Sequence, residues 1–195
     1  MILKIAEYAI MFSVLYFTIC MLLIFLKERE KIKRPGKVSW EPYVSVIIPA
    51  FNEERVIERC VKSVLNSEYP KEKLEVIVVN DGSSDRTREI VEEIKREDHR
   101  VKLINKENTG KADSLNKGIA EAKGEIIMTL DADSYVTKKA IRKVLSHFED
   151  DVAVVTSAVK IRKKKKMSLW EKLQRVEYLF TIFNRRLFSL IDGVY

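Results

Sequence analysis

The chain has 195 residues, 46% of them hydrophobic and 33% charged, a balance that excludes a disordered protein and suffices for one domain with a real core plus an appendage. Its net charge of +7 gathers in two basic clusters, and no helix-turn-helix, zinc-finger or RNA-recognition signature accompanies them, so no nucleic-acid partner is expected. Cys20 and Cys60 have no metal-ligand spacing, and a disulfide framework is not expected either.

Residues 9–26, AIMFSVLYFTICMLLIFL, are uncharged and approach the length of a membrane-spanning helix. Lys4 and Glu7 precede this run, and the basic stretch KEREKIKRPGK (27–37) follows it. Positive charge stays on the cytoplasmic side, which predicts a single-pass cell-membrane anchor over 1–27 with everything behind it in the cytoplasm. A cleaved signal peptide wants its positive charge in front and a small-residue cleavage site behind, and neither is present. Residues 28–42, with Pro35 and Gly36, read as a basic linker.

From residue 43 onward strands alternate with helices. YVSVIIPAF (43–51) reads as a buried strand and EERVIERCVKSVLNS (53–67) as an amphipathic helix. LEVIVVND (74–81) is a second strand, followed by a helix opened by Ser84 or Asp85 and running to about Glu97. VKLINK (101–106) is a short third strand, 110–123 are helical, and GEIIMTLDADS (124–134) holds a fourth strand. A helix then runs to Phe148, and VAVVTSAVKI (152–161) completes the alternation. The pattern predicts an α/β domain over 43–166, a mainly parallel sheet with flanking helices. In such sheets ligands sit outside the carboxyl ends of the strands.

The fourth strand ends in two aspartates one residue apart. Side chains alternate along a strand, so Asp131 and Asp133 point the same way just past the sheet edge. Two such carboxylates repel unless a cation lies near them, and hard oxygen ligands suit Mg²⁺ or Mn²⁺ held together with substrate phosphates. The alternative is that Asp133 or Ser134 caps the following helix. Polar residues also close the first strand (PAFNEE) and the second (NDGSSD), which gathers three polar clusters on one sheet edge. A nucleotide site is the natural reading, while the absence of GxGxxG and GxxxxGK[ST] disfavours dinucleotide and P-loop binding.

Together, VSVIIPAFNEE, VIVVNDGSSDRT, NTGKADSLNKGI and TLDADS, in this order and spacing, resemble the inverting family 2 glycosyltransferases of the GT-A fold. The resemblance covers roughly residues 43–190 and, with the N-terminal anchor and GKADSLNKG, is closest to membrane-bound synthases of hyaluronan, chitin and poly-N-acetylglucosamine. It implies a metal-dependent transfer from a nucleotide-diphospho-sugar donor to a polysaccharide or lipid-linked acceptor. Asp133 is then a ligand of Mg²⁺ or Mn²⁺ bridging the donor's phosphates, and Asp131 touches the ribose or the metal shell. Asp81 accepts a hydrogen bond from the base, Phe51 packs on its ring where similar enzymes often have Tyr, and Pro49 and Glu53 shape the rest of the nucleoside pocket. Lys111 and Asp113 lie near the diphosphate and sugar with Asn116 behind them. Read on their own, Phe51 is equally a core residue, Asp81 a turn residue and Lys111 part of a solvated helix start.

Beyond the second basic cluster, KIRKKKK (160–166), apolar residues at 169, 173, 176, 180, 183, 187 and 190 follow a helical repeat interrupted by charges. Too charged to span a bilayer, this 167–195 helix suits the membrane interface, with the lysines near anionic headgroups, or packs onto other protein. An inverting transferase needs a base for the acceptor hydroxyl, and Glu177 and Asp192, the late acids, match no family motif. The base is therefore expected beyond Tyr195, in a downstream polypeptide that completes the enzyme. Two other functions fit parts of the pattern: a non-catalytic, membrane-bound nucleotide-sugar-binding subunit or fragment, and a Mg²⁺-dependent aspartyl phosphatase, which places its Asp-x-Asp on the first strand rather than the fourth.

Overall fold

The computed structural model describes residues 2–33, 40–148, 152–157, 159 and 168–189. They divide into two compact units, one of Gly36–Val155 and one of Met1–Pro35 with Thr156–Tyr195.

The first unit carries four parallel strands, β1 (Val44–Ala50), β2 (Leu74–Asp81), β3 (Val101–Lys106) and β4 (Ile126–Thr129), in the order β3-β2-β1-β4. β1 pairs with β2 from Val44↔Leu74 to Ala50↔Asn80, and with β4 from Val44↔Ile126 to Ile47↔Thr129. Strand order reverses between β1 and β4, which opens a crevice at their carboxyl ends. β2 is buried along its whole length and β1 along all but Pro49, so their centres, VII in β1 and VIVV in β2, are apolar runs rather than alternating ones.

Helices cover both faces. α2 (Ile57–Leu65), α3 (Thr87–Glu97) and α5 (Ala140–Leu145) present Ile57, Val61, Val64, Val91, Ile94, Ile141 and Leu145 to Val44, Val46, Ile48, Val76 and Val78. Each such side chain contributes about 1.5–3 kcal/mol on full burial. α4 (Lys111–Ala120) lies on the other face, where Leu115 packs against Ile47, Ile77 and Val79. It comes so close that a Cβ on Gly118 would stand 2.5 Å from Ile47 Cγ2, which is why a glycine faces the sheet there. At the far end of the sheet from the crevice, buried Glu75 accepts from Ser45 Oγ (2.6 Å) and the Lys123 amide (2.7 Å) and pairs with Lys102 (2.7 Å).

Three expected elements differ, the first being the helix expected to reach Phe148, which ends at Leu145. The helix expected from residue 53 begins at Ile57, because Glu53 closes a turn whose carbonyl accepts the amides of Val56 (3.0 Å) and Ile57 (2.9 Å). Residues 152–157 and 159 form no strand; Val154 is 77% exposed, and apolar β-formers without a ladder partner have nothing to pair with. The rest of the 152–161 stretch lies outside the described residues.

In the second unit α1 (Ile2–Lys33) contains the segment Glu7–Lys27, long and apolar enough to cross a membrane, with mean hydropathy 2.6 and none of its most apolar window buried. α6 (Leu169–Ser189) opens on a capping box: the Glu171 amide donates to Ser168 Oγ (3.2 Å) and the Ser168 amide to Glu171 Oε2 (2.8 Å). Its Leu169, Leu173, Val176 and Phe180 are exposed; the side chains of Phe183 and Leu187, and Leu190 itself, fall outside the described residues.

Candidate functional site

The loops after β1 and β2 hold one another. The Asn52 amide donates to Ser83 Oγ (3.0 Å), and Asn52 Oδ1 accepts the Ser84 amide (2.9 Å). Asn52 adopts φ 55°, a left-handed conformation that asparagine tolerates better than most residues. The Glu54 amide donates to Asp85 Oδ2 (3.0 Å), the Arg86 amide to Glu54 Oε2 (3.2 Å) and the Glu53 amide to Thr87 Oγ1 (2.8 Å). Asn52, Glu54, Ser83, Ser84 and Asp85 are thus used in bonding the two loops together, while Phe51, Glu53 and Asp81 line one cavity.

Asp81 ends β2, and only 5% of it is exposed. Its carboxylate accepts the amides of Thr109 (3.0 Å) and Gly110 (3.0 Å) and a direct ion pair from Lys106. Burial pushes its pKa up, but the Lys106 ammonium and the two amides overcome this and hold it below the ordinary carboxylate value. Gly82, at φ 70°, follows; a Cβ there would meet the Asn108 amide nitrogen at 2.8 Å, so the loop after β3 closes against the loop after β2 only with glycine. Sequence reasoning missed Lys106. Its signal was positional: it ends β3 directly beside the aspartate that ends β2.

Beyond β4 the chain stays extended for one residue, with the Leu130 amide on the Ile47 carbonyl (3.0 Å), then turns with the Ser134 amide on the Asp131 carbonyl (2.9 Å). Ala132 is buried between the two exposed aspartates. Neither Asp133 nor Ser134 caps a helix: α5 begins at Ala140, its preceding residue is Lys139, and Ser134 Oγ turns to Asp133 Oδ1 at 3.3 Å.

One cavity of about 540 Å³ joins these parts. Pro49, Phe51 and Glu53 line it from β1 and its loop, Asp81 from β2, Lys111 from the start of α4, and Asp131 and Asp133 from the end of β4. Phe51 is 48% exposed, so it is a wall of the cavity and not a core residue. Burial raises the pKa of Glu53, and the charges of Asp133 and Asp85 add to the effect. Lys111 Nζ crosses to Asp131 Oδ1 at 2.5 Å. Asp113 stands apart from the lining: the helical turn carries it to Thr109 Oγ1 (2.5 Å) and Lys106 Nζ (3.2 Å). Asn116 is exposed on α4 and likewise no part of the lining.

No group of three or more His, Cys, Asp or Glu side chains is close enough to hold a metal among the described residues. Asp131 and Asp133 offer two hard oxygen donors on one cavity wall, a set that fits Mg²⁺ or Mn²⁺ when substrate phosphates and water complete the shell.

Residues 45–193 match the family model described as Glycosyl transferase family 2. The chain belongs to this family. It is 45% identical over 104 residues to the probable glycosyltransferase YdaM of Bacillus subtilis (strain 168), covering 51% of this chain and 25% of that protein. With the poly-beta-1,6-N-acetyl-D-glucosamine synthase of Staphylococcus epidermidis it shares 38% identity over 138 residues, covering 69% of this chain and 32% of the synthase. Among solved structures it is similar to the mannosyltransferase PcManGT from Pyrobaculum calidifontis in complex with GDP-Man and Mn²⁺, with TM-score 0.62 and 29% identity over 78% of this chain and 46% of that one. This family 2 chain therefore has a GT-A-like fold and spans about a quarter to a third of the length of these curated relatives. Membership sets aside the aspartyl phosphatase reading.

Proposed function

We propose that this protein binds a nucleotide-diphospho-sugar with a divalent cation in the 540 Å³ cavity and transfers the sugar, with inversion, to a polysaccharide or lipid-linked acceptor at the cytoplasmic membrane face. The observation that carries the reading is that an aromatic wall, a carboxylate acceptor, a lysine and a same-side carboxylate pair, from four separate segments, line one cavity at the carboxyl ends of the strands. Phe51 stacks on the base and Asp81 accepts its N–H; Pro49 and Glu53 bound the nucleoside. Asp133 holds the cation, with Asp131 on the ribose or the metal shell. Held there, Mg²⁺ or Mn²⁺ would supply positive charge to the departing diphosphate. Lys111 gives the same diphosphate a point charge. Asp113 supports this corner from behind, through Thr109 and Lys106. Transfer forms a bond from the acceptor oxygen to the anomeric carbon, whose carbon–oxygen bond to the diphosphate breaks on the opposite face; the diphosphate leaves with that electron pair, and the acceptor hydroxyl's proton passes to a general base.

The PcManGT complex with GDP-Man and Mn²⁺ and the synthase relatives support donor class, metal and acceptor class. The Glu7–Lys27 segment, ending on Lys27 and followed by Arg29, Lys31, Lys33 and Arg34, supports an anchor with the domain on the cytoplasmic side. The test is a thermal-shift screen of nucleotide-sugars with and without Mn²⁺, since a ligand at a hundred times its dissociation constant adds about 2.7 kcal/mol to stability. Metal-dependent stabilisation by one donor, with sugar transfer in membranes, establishes the function. The same stabilisation without transfer assigns a binding role, and no stabilisation by any donor overturns the proposal.

A further inference from the structure

The side chain of Lys106 is 4% exposed and pairs with Asp81, which lines the cavity. Its ammonium has three acceptors for its three protons: Asp81, Asp113 Oδ2 at 3.2 Å and the Glu107 carbonyl at 2.9 Å. It therefore joins the ends of β2 and β3 to the first turn of α4. The loop between, residues 107–110, is held by its Thr109 and Gly110 amides on Asp81 and by Thr109 Oγ1 on Asp113. An ionised carboxylate has about four acceptor positions. Three of Asp81's are taken, two on Oδ1 by Lys106 and Thr109 and one on Oδ2 by Gly110, and Asp81 still lines the cavity.

We propose that Lys106 is the positioning residue for nucleoside selection: by neutralising Asp81 from behind and fastening the 107–110 loop, it leaves one carboxylate acceptor position aimed into the cavity for a base that presents a ring N–H. This rests on the reading of the cavity as a nucleotide-sugar site. Uracil and guanine carry a ring N–H on the relevant edge; cytosine and adenine present a bare ring nitrogen there, which repels a carboxylate. Lys106 touches no substrate itself. Its cation keeps Asp81 an acceptor-only group, because burial alone drives that carboxyl toward its protonated form. The charged groups facing Asp81 are Lys106 on β3 and, behind it, Asp113 on α4; Glu53, Asp131, Asp133 and Lys111 face the same cavity.

The experiment measures binding of uridine, guanosine, cytidine and adenosine diphosphates, and of inorganic pyrophosphate, to the full chain in detergent with Mn²⁺, by calorimetry between about pH 8 and about pH 5. Pyrophosphate shares the metal ligands and the phosphates, so the ratio of nucleoside diphosphate to pyrophosphate affinity isolates the nucleoside end. Wild type should prefer uridine or guanosine diphosphate, with a ratio that stays flat across the range. Lys106→Met should cut the preference by about tenfold to a hundredfold. Its remaining ratio should fall on the acid side by about tenfold per pH unit, as Asp81 takes up a proton. A looser loop alone would lower the ratio equally at every pH. Lys106→Gln replaces Met if the latter fails to fold, and Lys106→Arg, which keeps the cation, should restore the flat profile. Wild-type preference retained unchanged in both neutral variants overturns the role of Lys106 alone, as does an Arg variant as acid-sensitive as the Met variant. Equal wild-type affinity for all four nucleoside diphosphates overturns the Asp81 assignment as well.

Discussion

Lys111 Nζ and Asp131 Oδ1 meet at 2.5 Å across the mouth of the cavity, although they belong to the start of α4 and the end of β4. Both side chains are about three-fifths exposed, 61% and 60%, so water competes with the pair and its stabilisation is at most about 1 kcal/mol. A weak pair is a usable one. An anionic diphosphate can draw the ammonium away while a cation takes its place on Asp131, and neither exchange forfeits much folding energy. Lys111→Met should therefore leave the urea midpoint nearly unchanged and weaken Mn²⁺-dependent nucleoside diphosphate binding by about tenfold. Calorimetry beside urea titration checks both halves, and a large loss of stability with unchanged binding would assign the pair to the fold instead.

The two aspartates should not be equivalent. Asp131 already has a cation in Lys111, whereas the hydrogen bond of Asp133 among the described residues is to Ser134 Oγ at 3.3 Å, which makes Asp133 the freer candidate ligand. Asp133→Ala should abolish metal-dependent binding of a nucleoside diphosphate, and Asp131→Ala should weaken it. The check is affinity with Mn²⁺ and with chelator, and unchanged metal dependence in Asp133→Ala would sink the metal assignment.

Phe51 follows the last residue of β1, and with 48% of its surface in solvent it contributes little to the core. Phe51→Ala should cost about 1–3 kcal/mol of donor affinity through lost base stacking while melting within a few degrees of wild type. Phe51→Tyr keeps the ring and should bind as tightly as wild type. Affinity and melting temperature measured on the same preparations separate the two effects.

Most of this architecture was legible because β1 and β2 are buried on both faces, which leaves uninterrupted apolar runs such as VIVV that turn residues bracket cleanly. Asp131 and Asp133 both line the cavity, but the turn from Asp131 to Ser134 brings them there and not the strand alternation read from the sequence, since β4 ends at Thr129. Lys106 was hidden because a lysine closing a short strand looks like an ordinary solvated end. Only pairing with a residue 25 positions earlier makes it a buried cation. The start of α2 was misplaced because Glu53 and Glu54 suit a helix locally, and their bonds to Thr87 and Asp85 are long-range. Asp113 was drawn away from the cavity by that same unseen lysine.

Asp98 and Arg100 brace the turn between α3 and β3: Arg100 Nη2 pairs with Asp98 Oδ2 at 2.6 Å and donates to the Leu65 carbonyl at 3.2 Å. The Arg100 hydrogen bond holds the Asp98 carboxyl below its ordinary value of 3.8, against the opposing effect of burial. A carboxyl depressed on folding adds stability above its unfolded pKa and loses that stability as pH falls through the folded one. Asp98→Asn should thus cost about 1–3 kcal/mol near neutrality. The gap to wild type should close as the pH drops below about 4. Urea midpoints of both proteins across that range decide it, and a gap independent of pH would mean that the pair's charge is immaterial.

The proposed orientation rests on the N-terminal helix. Glu7–Lys27 has mean hydropathy 2.6, enough for one crossing, and its two flanks differ sharply in charge. From Lys27 to Arg34 five basic residues stand against Glu28 and Glu30, while Lys4 and Glu7 cancel at the other end. In the proposed orientation the basic flank stays in the cytoplasm, where an anionic leaflet adds about 1 kcal/mol per nearby lysine or arginine. Protease added to sealed, right-side-out cells should leave the Gly36–Val155 unit intact, and the same protease should digest it once the cells are opened. Replacing Lys27, Arg29, Lys31, Lys33 and Arg34 by neutral residues, with two lysines added before Glu7, should turn the unit outward. Digestion of the wild-type unit in sealed cells would reverse the orientation and remove the cavity from its donor.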